Sequence, residues 1–422
     1  MPDMDEPDFY LDPQVGQDPY AYYERVHSEC PVHRELHHRS MLVSGYDEAV
    51  TVAKDAPGYS AANSTTGPFC GFPGAPPGAE DVTDLIEQIR PTIPLGDYFP
   101  TFDPPDHTAH RGLLMRLLTP KRLAENEESM VRLANHQLDE FVANGRCEFI
   151  GEFSNPFVNL VICDLLGVPE ADLPRFRDEF KRRGPEAVVE GEVRPDALAW
   201  MNGVFTEYVE GRRNEPRPDV LTALATGTFP DGTLPEVIDV VRVAAFLFAA
   251  GGETTARLLA SALLILGEDA DLQARLRRDR ALIPNFIEEV LRFESPVRAV
   301  SRIARFPAAV AGVSIPAGTT VTLLLGAANR DPRRFDHPAD FDVDRPNARE
   351  NLAFGRGIHA CPGGPLARAE ARIALGRILD RMADIRISEA AHGPAGDRHY
   401  EFTTWYLLRG PMRLHLEFTP IG

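Results

Sequence analysis

The chain has 422 residues, 43% of them hydrophobic, with 44 Lys and Arg against 63 Asp and Glu. A formal charge of −19 argues against nucleic acid or an anionic membrane as the main partner, because both demand a net basic surface. The five cysteines (Cys30, Cys70, Cys147, Cys163 and Cys361) are odd in number and scattered without a CxxC pair, which excludes a zinc site and a disulfide framework.

The first residues, Met1 to Asp12, hold no apolar run of the signal-peptide kind. The stretch to Pro19 reads as an irregular arm, followed by a short helix over Tyr20 to Ser28. Val32–Leu36 and Met41–Ser44 predict a hairpin around His37-His38-Arg39, with another helix from Asp47. Between Pro57 and Pro105, Gly and Pro cluster with Phe69, Phe72, Phe99 and Phe102, and a long irregular segment of that kind predicts a wall over a binding cavity. Helical patterning runs from Asp106 to Arg213. Leu234 to Leu266 has no proline after Pro235 at its start and is apolar nearly all round in the middle, which predicts a central buried helix interrupted at Gly251-Gly252. Its longest apolar stretch, Val243 to Gly252, is far short of the ~20 residues that span a bilayer. A cytoplasmic, soluble protein without membrane anchor is expected.

Two further helices occupy Asp269 to Phe293, and β-rich sequence follows from Val300 to Leu325 with a turn at Pro316-Ala317-Gly318. A last long helix is expected from about Pro365 to Met382, before short closing strands. No internal repeat or linker divides the chain, so one large, mainly α domain with small β-sheets is expected over residues 1–422, the first 18 being an irregular arm.

The sharpest motif is Phe354-Gly355-Arg356-Gly357-Ile358-His359-Ala360-Cys361-Pro362-Gly363, directly ahead of the last helix. Glycines permit tight turns and close backbone approach to a flat ligand. Cys361 stands just before a helix N-terminus, where free N–H groups and the helix dipole favour a thiolate. A lone cysteine in such a loop would be structural; this company makes chemistry the stronger reading.

The pattern Phe-x-x-Gly-x-x-x-Cys-x-Gly resembles the cysteine-loop signature of the cytochrome P450 family, matched at Phe354, Gly357, Cys361 and Gly363. The resemblance runs in element order from about Asp18 to Thr419. It implies a single-domain P450 fold with its long helix over haem b, and Cys361 as axial ligand of the haem iron. Phe354, Gly355, Gly363, Ala250 and Gly251 are then cofactor neighbours. His107 and Arg111, four apart on one helix face, match positions that bind haem propionates, as do Arg302 and His359; Arg298 competes with Arg302 for that place.

Glu289 and Arg292 lie three apart on a helix, and the resemblance adds Arg345 as third member of a structural charge network. Glu87/Arg90, Glu179/Arg182 and Glu210/Arg213 share the spacing and read as solvated pairs. Glu253 and Thr254 pair an acid with a hydroxyl, able to relay protons at the oxygen site. Beside them Gly251 and Gly252 have two accounts: close helix packing with Thr254 bonded back to a carbonyl, or a widened turn over the iron. Two departures stand out. Pro362 offers the sulfur no N–H, and Gly252 is without a side chain.

The implied activity is that of a haem-thiolate monooxygenase, inserting one atom of O2 into a small hydrophobic substrate by hydroxylation or epoxidation. A peroxygenase using H2O2 and a non-enzymatic haem sensor are the rivals, and the Glu253-Thr254 pair weighs against the former. With no flavin or nicotinamide module in these residues, NAD(P)H acts only indirectly, through a reductase and a ferredoxin of the [2Fe-2S] kind serving a monomer. Arg116, Lys121, Arg122, Arg356, Arg368 and Arg372 form a candidate basic patch for that partner. Candidate pocket residues are Phe69, Phe72, Leu95 and Phe99 from the loop, Phe246 from the long helix, and Val297, Val300, Thr404 and Trp405.

Overall fold

One helix organises the computed structural model, which describes residues 6–76, 78–183, 188–189, 192–193 and 195–421. Val237–Glu268 runs for 32 residues, about 48 Å at 1.5 Å per residue. Glu236 and Asp239 cap it reciprocally, each side chain taking up a backbone N–H that the first turn leaves unpaired. Val240, Val241, Ala244, Ala245 and Phe248 are buried before its midpoint, and most of Ala256 to Leu266 after it. The helices Asn155–Leu166, Pro195–Asn214 and Gly364–Arg381 pack around it. The expected interruption is absent, since Gly251 and Gly252 lie within continuous α-helix. Added Cβ atoms there would stand 3.1 Å from Ile162 Cδ1 and 2.7 Å from Asn159 Oδ1. Close packing on Asn155–Leu166 therefore accounts for both glycines, and it offsets their ~1 kcal/mol helix penalty.

A five-stranded sheet forms the other pole, in the order Val32–Arg34, Met41–Val43, Thr320–Leu323, Val300–Ala304, Tyr59–Ser60. Its neighbours are antiparallel except Met41–Val43 beside Thr320–Leu323. The turn at Pro316-Ala317-Gly318 forms with Gly318 at φ +76°. Met382–Ile387, His415–Pro420 and Arg146–Glu148 make a three-stranded sheet at the end of the last long helix.

Two segments differ from expectation. The stretch before Asp18 is not wholly irregular: Asp12 caps a helical turn, Pro13–Gln17, and Phe9 and Tyr10 are buried. The Gly- and Pro-rich segment carries a helix, Thr83–Ile89, and a small core of its own, in which Cys70, Val82, Ile86 and Ile93 pack on Ile303 and Ala317. Asp103 ties it down, pairing with both Arg90 and Arg305 at 2.7 Å.

Candidate active site

The loop before Gly364–Arg381 owes its path to glycine. Gly355 and Gly357 have φ of +64° and +74°, and a Cβ on Gly357 would lie 2.2 Å from the Ala53 carbonyl oxygen. Only glycine fits there. Gly363 is different: with φ −80° it needs no such freedom, and a Cβ would sit 3.7 Å from Cys361 Sγ. Its part is to cap the helix and, with Gly364, to aim an N–H at the sulfur. These two amides supply what Pro362 lacks. The Cys361 amide itself donates to Phe354 O at 2.8 Å, closing the loop.

Cys361 lies deep in the fold, yet its side chain is accessible because it opens onto a cavity of about 170 Å³. Val297, Val300, Arg302, Phe354 and His359 line the same space. Burial pushes the thiol pKa up, and the Gly363 and Gly364 amides, then Arg111 and Arg368, oppose that push by favouring the thiolate.

Behind the loop, Glu289 and Arg292 are fully buried and Arg345 nearly so. Glu289 accepts two bonds from Arg292, at 2.7 and 2.8 Å, and two from Arg345 Nε at 3.0 and 3.1 Å. The remaining guanidinium protons reach the carbonyls of Asn329, Asp336, Pro338 and Asp340. Asn329 carries the constraint forward, because its Oδ1 accepts the Leu352 amide at 2.6 Å at the loop's entry. Of the pairs with the same spacing, Arg90 joins Glu87 but also buried Asp103, so it is more than a solvated pair. Arg213 donates to the carbonyls of Ala225 and Pro235 rather than to Glu210. The Arg182 side chain lies outside the described residues.

A second charged group gathers from three places in the chain. His107 and Arg111 come from the helix Asp106–Met115, Arg302 from Val300–Ala304, and His359 from the cysteine loop. The two imidazole centroids are 4.2 Å apart, and Phe99 stacks on His107 at 5.0 Å. Arg111 Nη2 donates to Ala360 O at 2.9 Å, binding helix to loop. His107 Nε2, His359 Nε2 and Arg111 Nη1 are buried without any hydrogen-bond partner. Burial, then the neighbouring Arg111, pushes the His107 pKa down to about 4; burial, then Arg302, His107 and Arg111, pushes His359 down to about 2. Burial also brings Arg302 down to about 10. Among the described residues none of these four forms an ion pair. The donor set is suited to anionic oxygens, as on a pair of carboxylates. Arg298 is excluded from it, because it donates to the carbonyls of Val15, Gly16 and Tyr406 and stacks on Phe9.

On the central helix Phe246, Ala249, Ala250, Glu253 and Thr254 form an accessible face within an otherwise buried stretch. Thr254 Oγ1 donates to Ala250 O at 2.8 Å, the back-bonded arrangement, and the turn is not widened. Glu253 pairs with Arg257, whose Nη1 also reaches Gly410 O. Glu370, on the last long helix, was not anticipated; fully buried against Thr255, its carboxyl is pushed well up by desolvation. A glutamate at that spacing looks like any helix-surface acid, so the sequence carried no signal for it.

The pocket candidates divide. Val297 and Val300 line the cavity with Cys361, and Phe246 stands beside Tyr98 with ring centroids 6.3 Å apart. Phe69 turns outward, 44% exposed, against Tyr10, His38 and Tyr406. Phe72 packs in the loop's own core, near Gly318. Leu95 is half-buried at φ +62°, and its carbonyl accepts from Thr101. Thr404 is exposed and abuts Gly16, while Trp405 joins the N-terminal aromatic cluster. Phe69 and Phe72 fall away from the cavity because the segment has a core to fill before it has a cavity to line, whereas Phe99 is buried against His107.

The basic patch is thinner than expected. Arg368 is paired with Glu288, Arg372 with Glu127, and Lys121 lies 3.8 Å from Glu125. Arg116, Arg122 and Arg356 donate to backbone carbonyls and form no ion pair among the described residues.

Comparison with known proteins fits this geometry. The cytochrome P450 family model matches residues 230–383. The 6-deoxyerythronolide B hydroxylase of Saccharopolyspora erythraea is 32% identical, covering 90% of this chain and 91% of its own. Cytochrome P450 monooxygenase PikC of Streptomyces venezuelae is 34% identical over 89% and 87%. The substrate-free structure of CYP150A6 from Mycobacterium marinum superposes with a TM-score of 0.93, at 52% identity over 99% of both chains. The chain belongs to the cytochrome P450 family and is a bacterial-type monooxygenase with haem as its cofactor. No helix among the described residues is long and apolar enough to cross a membrane.

Proposed function

We propose that this chain works as one domain, a ferredoxin-fed monooxygenase in which Cys361 Sγ would ligate the haem iron. His107, Arg111, Arg302 and His359 would hold the two propionates, with Phe354, Gly355, Gly363, Ala250 and Gly251 as further haem neighbours. When bound, the haem supplies the activation of O2 and insertion of one oxygen atom into a C–H or C=C bond. The chain's residues supply the rest. Gly363 and Gly364 amides and the helix dipole oppose the burial that disfavours the thiolate, and would favour the anionic sulfur that ligates the iron. Thr254 Oγ1, anchored on Ala250 O, and Glu253 are placed to hold and pass protons on the accessible face of the central helix. The apolar cavity wall from Val297, Val300 and Leu323 excludes water and suits a hydrophobic substrate. Electrons would come from a small acidic ferredoxin and its NAD(P)H-dependent reductase, in the cytoplasm, to a monomer; Arg116, Arg122 and Arg356 are the cations left to meet it.

The observation that carries this reading is a set of two arginines and two imidazoles with three buried donor atoms unpartnered and no ion pair among the described residues, converging beside an accessible cysteine. The test is the ferrous carbonyl spectrum of the haem-loaded protein. The red-shifted Soret band of thiolate ligation is expected, and Cys361→Ala should abolish it. An unchanged spectrum in the variant overturns the assignment.

A further inference from the structure

Glu288 precedes the network glutamate and faces the other way, towards the cysteine loop. It is 6% exposed, an unusual place for a carboxylate without a purpose. Its Oε1 accepts Arg368 Nε at 2.6 Å and its Oε2 accepts Arg368 Nη2 at 3.1 Å, a two-point clasp. Asn351 Nδ2, at the entry of the loop, donates to the same Oε2 at 3.1 Å. The clasp fixes where the guanidinium lies: its carbon is 4.4 Å from the centroid of the Phe354 ring. Phe354 is also the residue whose carbonyl takes the Cys361 amide. A Cβ built on Gly364, one of the two residues whose amide faces the sulfur, would be 3.1 Å from Arg368 Nη1. Arg368 is thus a cation held within electrostatic reach of Sγ, and Glu288 is the counter-charge held one step further out.

We propose that Glu288 and Arg368 form a positioning pair that sets the electron-donating strength of Cys361 and so the reduction potential of the haem it ligates. The inference rests on the haem-thiolate reading above. Arg368 stabilises negative charge on the sulfur and the extra electron of the ferrous state; Glu288 attenuates that field and fixes its direction. Opposite single variants should therefore act with opposite sign. Removing the carboxylate charge in Glu288→Gln keeps an acceptor for Arg368 and Asn351 and leaves the guanidinium uncompensated, which raises the potential. Arg368→Gln leaves the carboxylate with only the exposed Arg349, whose Nε lies 3.9 Å from Oε1, and lowers the potential. In the partly buried site each change should move the ferric/ferrous ratio at fixed potential about tenfold, or ~59 mV for a one-electron couple.

The experiment is a dye-mediated redox titration of the haem-loaded wild type, both single variants and the double variant Glu288→Gln/Arg368→Gln, without any redox partner. The carbonyl spectrum and thermal unfolding of each are recorded alongside. Midpoints displaced in opposite directions, with the double variant between them, are the expected result. Midpoints that coincide, or move the same way in both single variants, overturn the pairing and leave Glu288 a purely structural residue. A wild type lacking the thiolate carbonyl band instead overturns the haem-thiolate reading, so the two failures are distinguishable.

Discussion

Around Glu289 the buried charges answer one another, whereas around His359 they do not. Glu289, Arg292 and Arg345 are saturated by each other and by carbonyls, with Glu289 and Arg292 entirely out of solvent. His107, Arg111, Arg302 and His359 bring cationic or potentially cationic groups together and form no ion pair among the described residues, with three donor atoms unpartnered. A saturated buried network is scaffold: its value lies in fixing Asn329 and hence the loop. An unsaturated one costs desolvation free energy that Asp103 and a few carbonyls offset only in part, and a cost of that kind marks a ligand. The first cluster is buried throughout and reaches the cysteine loop through Asn329; the second holds His107 and Arg302 buried, Arg111 and His359 half-buried, and includes a residue of the loop itself. Partnership, rather than burial, separates structure from function here.

The largest effect expected from that contrast is in the saturated cluster. Glu289→Gln strips the anion from two buried guanidinium groups and should cost ~3–5 kcal/mol. Denaturant midpoints with and without haem would measure it, and a loss below ~1 kcal/mol would remove the network from the scaffold. Arg302→Gln should behave in reverse. Haem-free stability is unchanged or improved, because a desolvated cation is gone. Haem then leaves about tenfold faster to a scavenging protein, in keeping with the ~1.5–3 kcal/mol of a charged hydrogen bond. Equal destabilisation by the two substitutions would erase the distinction.

A smaller effect should appear in the pH dependence. The folded His107 pKa of about 4 lies below its ordinary 6.5, so between those values the unfolded chain binds a proton that the folded chain refuses. The haem-free protein should therefore lose stability as pH falls from 6.5 towards 4, with no further loss from this residue below that. His107→Asn should flatten the slope. Bound carboxylates would favour the protonated imidazole, so the haem-loaded protein should lose less over the same window. Identical slopes in the two forms would break the assignment of His107 to the anion site.

Much of this site was legible because it is local. Gly355 and Gly357 stand where the backbone turns left-handed, and that requirement acts within a few residues. Glu289 and Arg292 share a helix face whatever surrounds them. Val237–Glu268 announced itself through its unbroken apolar run. Where expectation failed, the deciding contact was distant. Arg298 and Arg302 are equivalent by composition, yet Arg298 is claimed by the carbonyls of Val15 and Gly16, more than 280 positions away. Gly251 and Gly252 answer to Ile162 and Asn159 on another helix, not to a widened turn. Arg368 looked like a surface cation until Glu288, 80 residues earlier, closed on it.

By itself, then, the amino-acid order determined the helices, the turn of the cysteine loop and the place of Cys361 before a helix N-terminus, all consequences of short-range backbone geometry. Only the tertiary structure decided which cations would be neutralised and which left facing the cavity. Side-chain charge acts over ångströms in space, and the distance between two residues along a chain says little about that separation until the elements carrying them have packed.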